Sequence, residues 1–172
     1  MATKNSQTKP EMEIIEKYQD KIREAILNAV KSVRSCVLFY SDIYFALGGV
    51  IKDEDTFRQV ENALWANIDG LKLDNMTLYK IYSDSEDSFL DVIVVRFGKE
   101  LSDKQLYVLR EVASIFGDDS YDRYSEGEEQ FFDSMPIYGE HRTEVYTTLH
   151  NLMRMWTGCS ADYIANLLGG ES

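Results

Sequence analysis

The stretch MTLYKIYSDSEDSFLDVIVVRF, residues 76–97, decides the fold class. Two runs rich in β-branched and aromatic residues, Met76 to Tyr82 and Phe89 to Phe97, flank the polar cluster Ser83-Asp84-Ser85-Glu86-Asp87-Ser88. Such a cluster between β-rich runs is a hairpin signal. In the second run Leu90, Val92, Val94 and Arg96 point one way, and Asp91, Ile93, Val95 and Phe97 the other. Ile93, Val94 and Val95 in succession predict a strand covered on both faces over part of its length. Leu71 and Leu73 add a short third strand.

Outward from the hairpin the period changes from two to between three and four. Downstream, Ser102 and Gln105 form a capping-box pattern, followed by the stripe Leu106, Leu109, Val112, Ala113 and Phe116 and a stop at Gly117. Upstream, Asp53-Glu54-Asp55 opens a helix with the stripe Phe57, Val60, Leu64 and Ile68, because acids in a first turn suit the helix dipole; Gly70 ends it. Cys36 to Leu47 is apolar and aromatic all round, so its period does not separate strand from helix. Ser41 as N-cap and Gly48 as stop favour a helix there.

The first long helix starts at Glu11, with Ile15, Tyr18, Ile22, Ile26, Ala29 and Val33 on one face and mixed charges on the other. The last long one runs roughly from Glu140 to Thr157, with Val145, Leu149, Leu152, Met153 and Trp156 on one face. Gly158 breaks it, and Ser160 caps a short helix from Ala161 to Leu168. Strands cluster centrally and helices flank them. The expectation is α+β: a mostly helical single domain over residues 11–172, with a central antiparallel hairpin or small sheet packed by flanking helices, behind a disordered tail at 1–10.

The chain has 172 residues, enough for one domain with a real core. Its formal net charge is −12. A free nucleic-acid polyanion is repelled by such a surface, and so is an anionic membrane; basic proteins are attracted. No apolar run approaches a membrane span of about 20 residues, and Met1 to Lys9 is polar. Two isolated cysteines, Cys36 and Cys159, read as reduced and partly buried thiols. Together these features predict a cytoplasmic protein.

The charge is concentrated. Residues 117–144 hold nine acids against two bases, more than half of the net −12. Within them, GDDSYDRYSEGEEQFFDS (residues 117–134) interleaves seven acids with Tyr121, Tyr124, Phe131 and Phe132. Carboxylates along such a segment pair with arginine and lysine of a partner, while aromatics supply contact area. Regular spacing on one side would imitate a nucleic-acid backbone. The candidate partner-binding residues are Asp118, Asp119, Tyr121, Asp122, Tyr124, Glu126, Glu128 and Glu129. The plainer alternative is a solvated loop pinned to the core by its rings.

Other chemistry finds little footing. Asp118, Asp119 and Asp122, or Asp84, Glu86 and Asp87, offer hard oxygen ligands, but the spacing of a calcium-binding EF-hand loop is absent. His141 and Glu144 stand in the order His-x-x-Glu, whereas bundle metal sites use Glu-x-x-His; His150 does not share a face with His141. No nucleophile elbow, phosphate-cradling glycine loop or Cys-x-x-Cys occurs. Residues 158–169 loosely resemble the first helix and turn of a helix-turn-helix, but Arg154 is the base nearby and no recognition helix follows before Ser172.

The sequence therefore predicts a non-enzymatic acidic module that needs no cofactor or metal and docks on a basic partner protein. One example is an inhibitor or modulator of a nucleic-acid-processing machine, of the kind a mobile element encodes. One alternative is a structural subunit whose homodimer seam uses the long first helix or Met153 and Trp156. Another is a small hydrolase or metal-dependent enzyme without a recognisable motif, which needs a pocket joining an acid or thiol to His141 or His150.

Overall fold

A computed structural model describes residues 9–117 and 136–167. Among these, seven α-helices surround a four-stranded antiparallel sheet, the α+β architecture expected. The hairpin at its centre is β3 (Met76–Tyr82) with β4 (Val92–Phe97). The sheet order is β1-β4-β3-β2, with β1 at Val37–Phe39 and β2 at Lys72–Leu73. Val92, Ile93, Val94 and Val95 are all fully buried, so the central strand is covered on both faces. On one face Lys80 Nζ lies 5.2 Å from the ring centre of Trp65. On the other, Tyr79 Oη accepts from the Leu101 amide and Tyr82 meets Phe116.

The helices are α1 (Lys9–Lys17), α2 (Gln19–Val33), α3 (Tyr40–Val50), α4 (Glu54–Asn67), α5 (Asp103–Ala113), α6 (Pro136–Thr157) and α7 (Ala161–Leu167). Local signals set several ends. Asp53 accepts from the Thr56 amide at the start of α4. Ser102 and Gln105 form the reciprocal capping box of α5, at 3.1 and 2.9 Å. Gly158, at φ +73°, closes α6, a conformation that glycine adopts freely.

Several expectations are corrected. The helix expected from Glu11 starts at Lys9, with Pro10 in the first turn where its missing N–H costs nothing. It is interrupted at Tyr18, although Ile15, Ile22, Ile26 and Ala29 are buried as the stripe predicts. The second strand begins at Val92, because Ser88–Leu90 forms a 3₁₀ turn. α6 starts at Pro136, four residues before the expected Glu140.

The Cys36–Leu47 stretch divides: Val37–Phe39 pairs with β4, and α3 starts at Tyr40. Ser41 is not the N-cap. The extended residue there is Phe39, whose amide donates to Asp42 Oδ2 at 2.9 Å. Nor does Gly48 stop the helix, which runs through Gly49 to Val50. Two helical glycines cost about 1 kcal/mol each, and packing of Tyr40, Ile43 and Leu47, all buried, outweighs that.

The cysteines are corrected too. Cys36 and Cys159 are joined in a disulfide, with Cα atoms 6.6 Å apart, and are 1% and 2% exposed. A separation of 123 residues hides such a pairing from any local reading of the sequence. The bond ties the entry to β1 to the junction between α6 and α7. Ile164 of α7 is buried beside this junction, so the C-terminal helix is a packing element.

Candidate partner-binding face

Aromatic residues from three segments meet at one end of the sheet. α3 supplies Tyr40, Tyr44 and Phe45, α4 supplies Phe57, and the 3₁₀ turn supplies Phe89. Tyr44 is the hub, with ring centres 4.8 Å from Phe89, 5.2 Å from Phe57 and 5.4 Å from Phe45. Phe45 also approaches Phe89 at 6.1 Å, yet remains 68% exposed. Its neighbour one turn on is Gly49, where an added Cβ would meet nothing within 4 Å. Among the described residues nothing packs over Gly49, on that side of Phe45. Aromatic pairs of this kind hold one another in fixed geometry.

Carboxylates rim the cluster. Asp42 lies three residues before Phe45, a neighbour on the helix surface. Tyr40 is buried and donates its hydroxyl to Glu61 at 2.8 Å. Burial, with the Glu61 carboxylate beside it, pushes the Tyr40 phenol far above its ordinary pKa and keeps it a donor. The loop between β3 and β4 supplies Asp87, which accepts from the Phe89 amide; Asp84 and Glu86 of the same loop face, with Asp87, a groove shared with Arg110 and Arg142. Among the described residues no ion pair involves Asp42, Glu61, Asp84, Glu86 or Asp87. Lys80 nearby is committed to Asp91, and Lys52 borders the Phe57 end.

The loop is built to hold its shape. Asp84 Oδ1 accepts from the amides of Glu86 and Asp87, and Asp87 Oδ1 from that of Phe89. Asp91, 1% exposed, accepts from the Asp84 amide at 2.8 Å and faces Lys80 Nζ at 3.7 Å. Asp84 and Asp87 thus act as turn caps. No group of three or more metal-ligating side chains is present among the described residues.

The partner-binding residues expected from sequence, Asp118, Asp119, Tyr121, Asp122, Tyr124, Glu126, Glu128 and Glu129, lie outside the described residues. So does the side chain of His141. His150 is half-buried on α6, its Nδ1 2.7 Å from Ser35 Oγ, which also accepts from the Val37 amide. Burial first, then nearby Arg154, holds its pKa below the ordinary histidine value. That leaves neutral imidazole as the favoured form, and the tautomer it adopts sets the direction of its hydrogen bond with the Ser35 hydroxyl. On the neighbouring turn Tyr146 donates its hydroxyl to the Val37 carbonyl. Ser35 is buried, so the pair fastens α6 to the start of β1.

Behind Leu90 lies a groove of about 850 Å³, bordered by Tyr82, Asp84, Arg110, Phe116 and Arg142. Arg110 is engaged by Asp69 and by the Lys80 carbonyl, and Arg142 sits over the Phe116 ring. No histidine or cysteine is among the described residues lining it. Met153, considered for a homodimer seam, is buried in the core and Trp156 is half-buried; Met155 is the methionine of α6 that stands out, at 71% exposed. No described helix is long and apolar enough to cross a membrane.

Sequence reasoning missed this face. The signal available was the run Phe39-Tyr40…Tyr44-Phe45 followed by Gly48-Gly49, aromatic residues followed by two without side chains. Phe57 and Phe89 join it only through the tertiary fold. Comparison of the chain with protein-family models, curated proteins and solved structures finds no match.

Proposed function

We propose that this chain is a non-enzymatic protein-binding module that docks through an acidic, aromatic face on a basic surface of a partner protein. The observation that carries this is Phe45, 68% exposed on a fixed cluster of rings, with Asp42 and Asp87 beside those rings and in no described ion pair. An exposed aromatic anchor supplies contact area, and unpaired carboxylates at the rim steer a cationic partner and set its register. The net charge of −12 adds a long-range field of the same sign. The carboxylates of residues 117–134, from Asp118 to Asp133, belong to this proposal by their sequence. Proteins that grip nucleic-acid phosphates carry basic grooves, so inhibition or modulation of such a protein is the natural role.

A cytoplasmic location, expected from reduced thiols, now has to accommodate a disulfide, a bond that persists most readily in oxidising compartments. Burial of both sulfurs, at 1% and 2% exposure, hinders attack by cellular thiols, and a cytoplasmic protein needs that shielding.

The test is capture of partners from native lysate at low and moderate salt, read by mass spectrometry. It compares wild type with Phe45→Ala, with Glu86→Lys/Asp87→Lys, and with Asp118→Lys/Asp119→Lys/Asp122→Lys. A partner held by wild type should be lost on Phe45→Ala and on at least one charge reversal, with weaker capture at higher salt. A partner retained by all three variants and indifferent to salt refutes the proposal.

A further inference from the structure

We infer that the face around Phe45 is built to receive arginine side chains, so that the partner docks through an arginine-bearing segment and not merely through positive charge. This rests on the proposed function and names the chemistry of the partner. The first observation is the mixture of surfaces at one point. Phe45 is exposed over two-thirds of its area, Tyr44 and Phe89 are half-buried beside it, and Asp42 and Asp87 flank the rings. A guanidinium is planar and weakly hydrated, stacks on aromatic faces, and bonds carboxylates through two parallel N–H donors. An ammonium is a compact, strongly hydrated charge that gains less from losing water against a ring. A lysine partner would use the carboxylates and gain less from Phe45.

The second observation is Gly49. It is helical, exposed and one turn from Phe45, and a Cβ there would meet nothing. Helix propensity favours alanine at such a position, and packing among the described residues gives no reason for glycine. The missing side chain leaves a flat lane beside the ring, along which a partner backbone can lie. Charge complementarity selects the occupant, since Asp42 and Asp87 beside the rings have no described ionic partner.

The test uses the full chain and two synthetic peptides of equal length and charge, one alternating arginine with glycine, the other lysine with glycine. Binding is followed at physiological ionic strength by titration and by backbone amide shifts. The arginine peptide should bind at least threefold more tightly than the lysine peptide, with shifts centred on Phe45, Gly49 and Phe89. Phe45→Ala should remove that preference, and Gly49→Leu, which closes the lane with a good helix former, should weaken the arginine peptide at least threefold. Both positions are exposed, so circular dichroism should show folded variants. Equal affinity for the two peptides overturns the arginine assignment while leaving the protein-binding proposal standing. Absence of binding, or shifts confined to another part of the surface, also overturns it.

Discussion

Removing the bond between Cys36 and Cys159 should be the most damaging small change available in this chain. The perturbation is the double variant Cys36→Ala/Cys159→Ala, which avoids placing hydroxyls where both sulfurs are now buried. The cross-link closes a loop with a sequence separation of 123 residues. The chain-entropy model then assigns it about 5 kcal/mol of destabilisation of the unfolded state. Measured values fall short of this limit when the unfolded chain keeps residual structure, so a loss of about 3–5 kcal/mol is the working range. For a chain of this size each kcal/mol shifts Tm by roughly 2–4 °C, so Tm should fall by roughly 6–20 °C. Guanidinium unfolding followed by far-ultraviolet circular dichroism, with and without reductant, measures this. The m-value should rise on reduction, because an uncrosslinked unfolded chain exposes more surface. An unchanged midpoint in the double variant and in reduced wild type would refute the reasoning and show that these sulfurs do not hold the two ends of the fold together.

Further outcomes follow from other contacts. Gly49→Ala should stabilise the protein by about 1 kcal/mol in chemical denaturation, because α3 gains helix propensity and the new methyl meets nothing. Ser102→Ala removes one half of the capping box of α5 and should cost about 1 kcal/mol in the same assay. His150 has a folded pKa below its unfolded value, so the unfolded chain binds the extra proton first. Stability should be full above the ordinary histidine pKa of about 6.5 and decline as pH falls below it; His150→Gln should flatten that slope. Asp91→Ala strips the Asp84 amide and Lys80 of their shared buried acceptor, and should cost about 1–3 kcal/mol with amide shifts concentrated in residues 83–90.

What was legible in the sequence was what local chemistry determines. The α5 cap needs only Ser102 and Gln105, three residues apart, and both hydrogen bonds are present. The buried core of β4 was announced by Ile93-Val94-Val95, and the turn before it by clustered serines and acids. Distant residues decided the rest. Gly48 has the chemistry of a helix stop, yet α3 packs against α2 with Ile43 and Leu47 buried, and the helix continues. Cys36 carries no mark of a partner at Cys159. The candidate face depends on Phe45, Phe57 and Phe89, which three separate segments bring together. Beyond Ser41, Asp42 and its tyrosines α3 carries no polar side chain, so its period could not show which ring would be left outside.

The pairing of β1 with β4 has a consequence for synthesis. Val37, Leu38 and Phe39 leave the ribosome more than 50 residues ahead of their partners Val94, Ile93 and Val92. Cys36 waits longer still, until Cys159 has been made. Until then an apolar strand and a thiol are present without their native partners, and closing such long loops is slow. Over that interval β1 stands without its pairing strand, which makes it the site where a chaperone would be expected to bind.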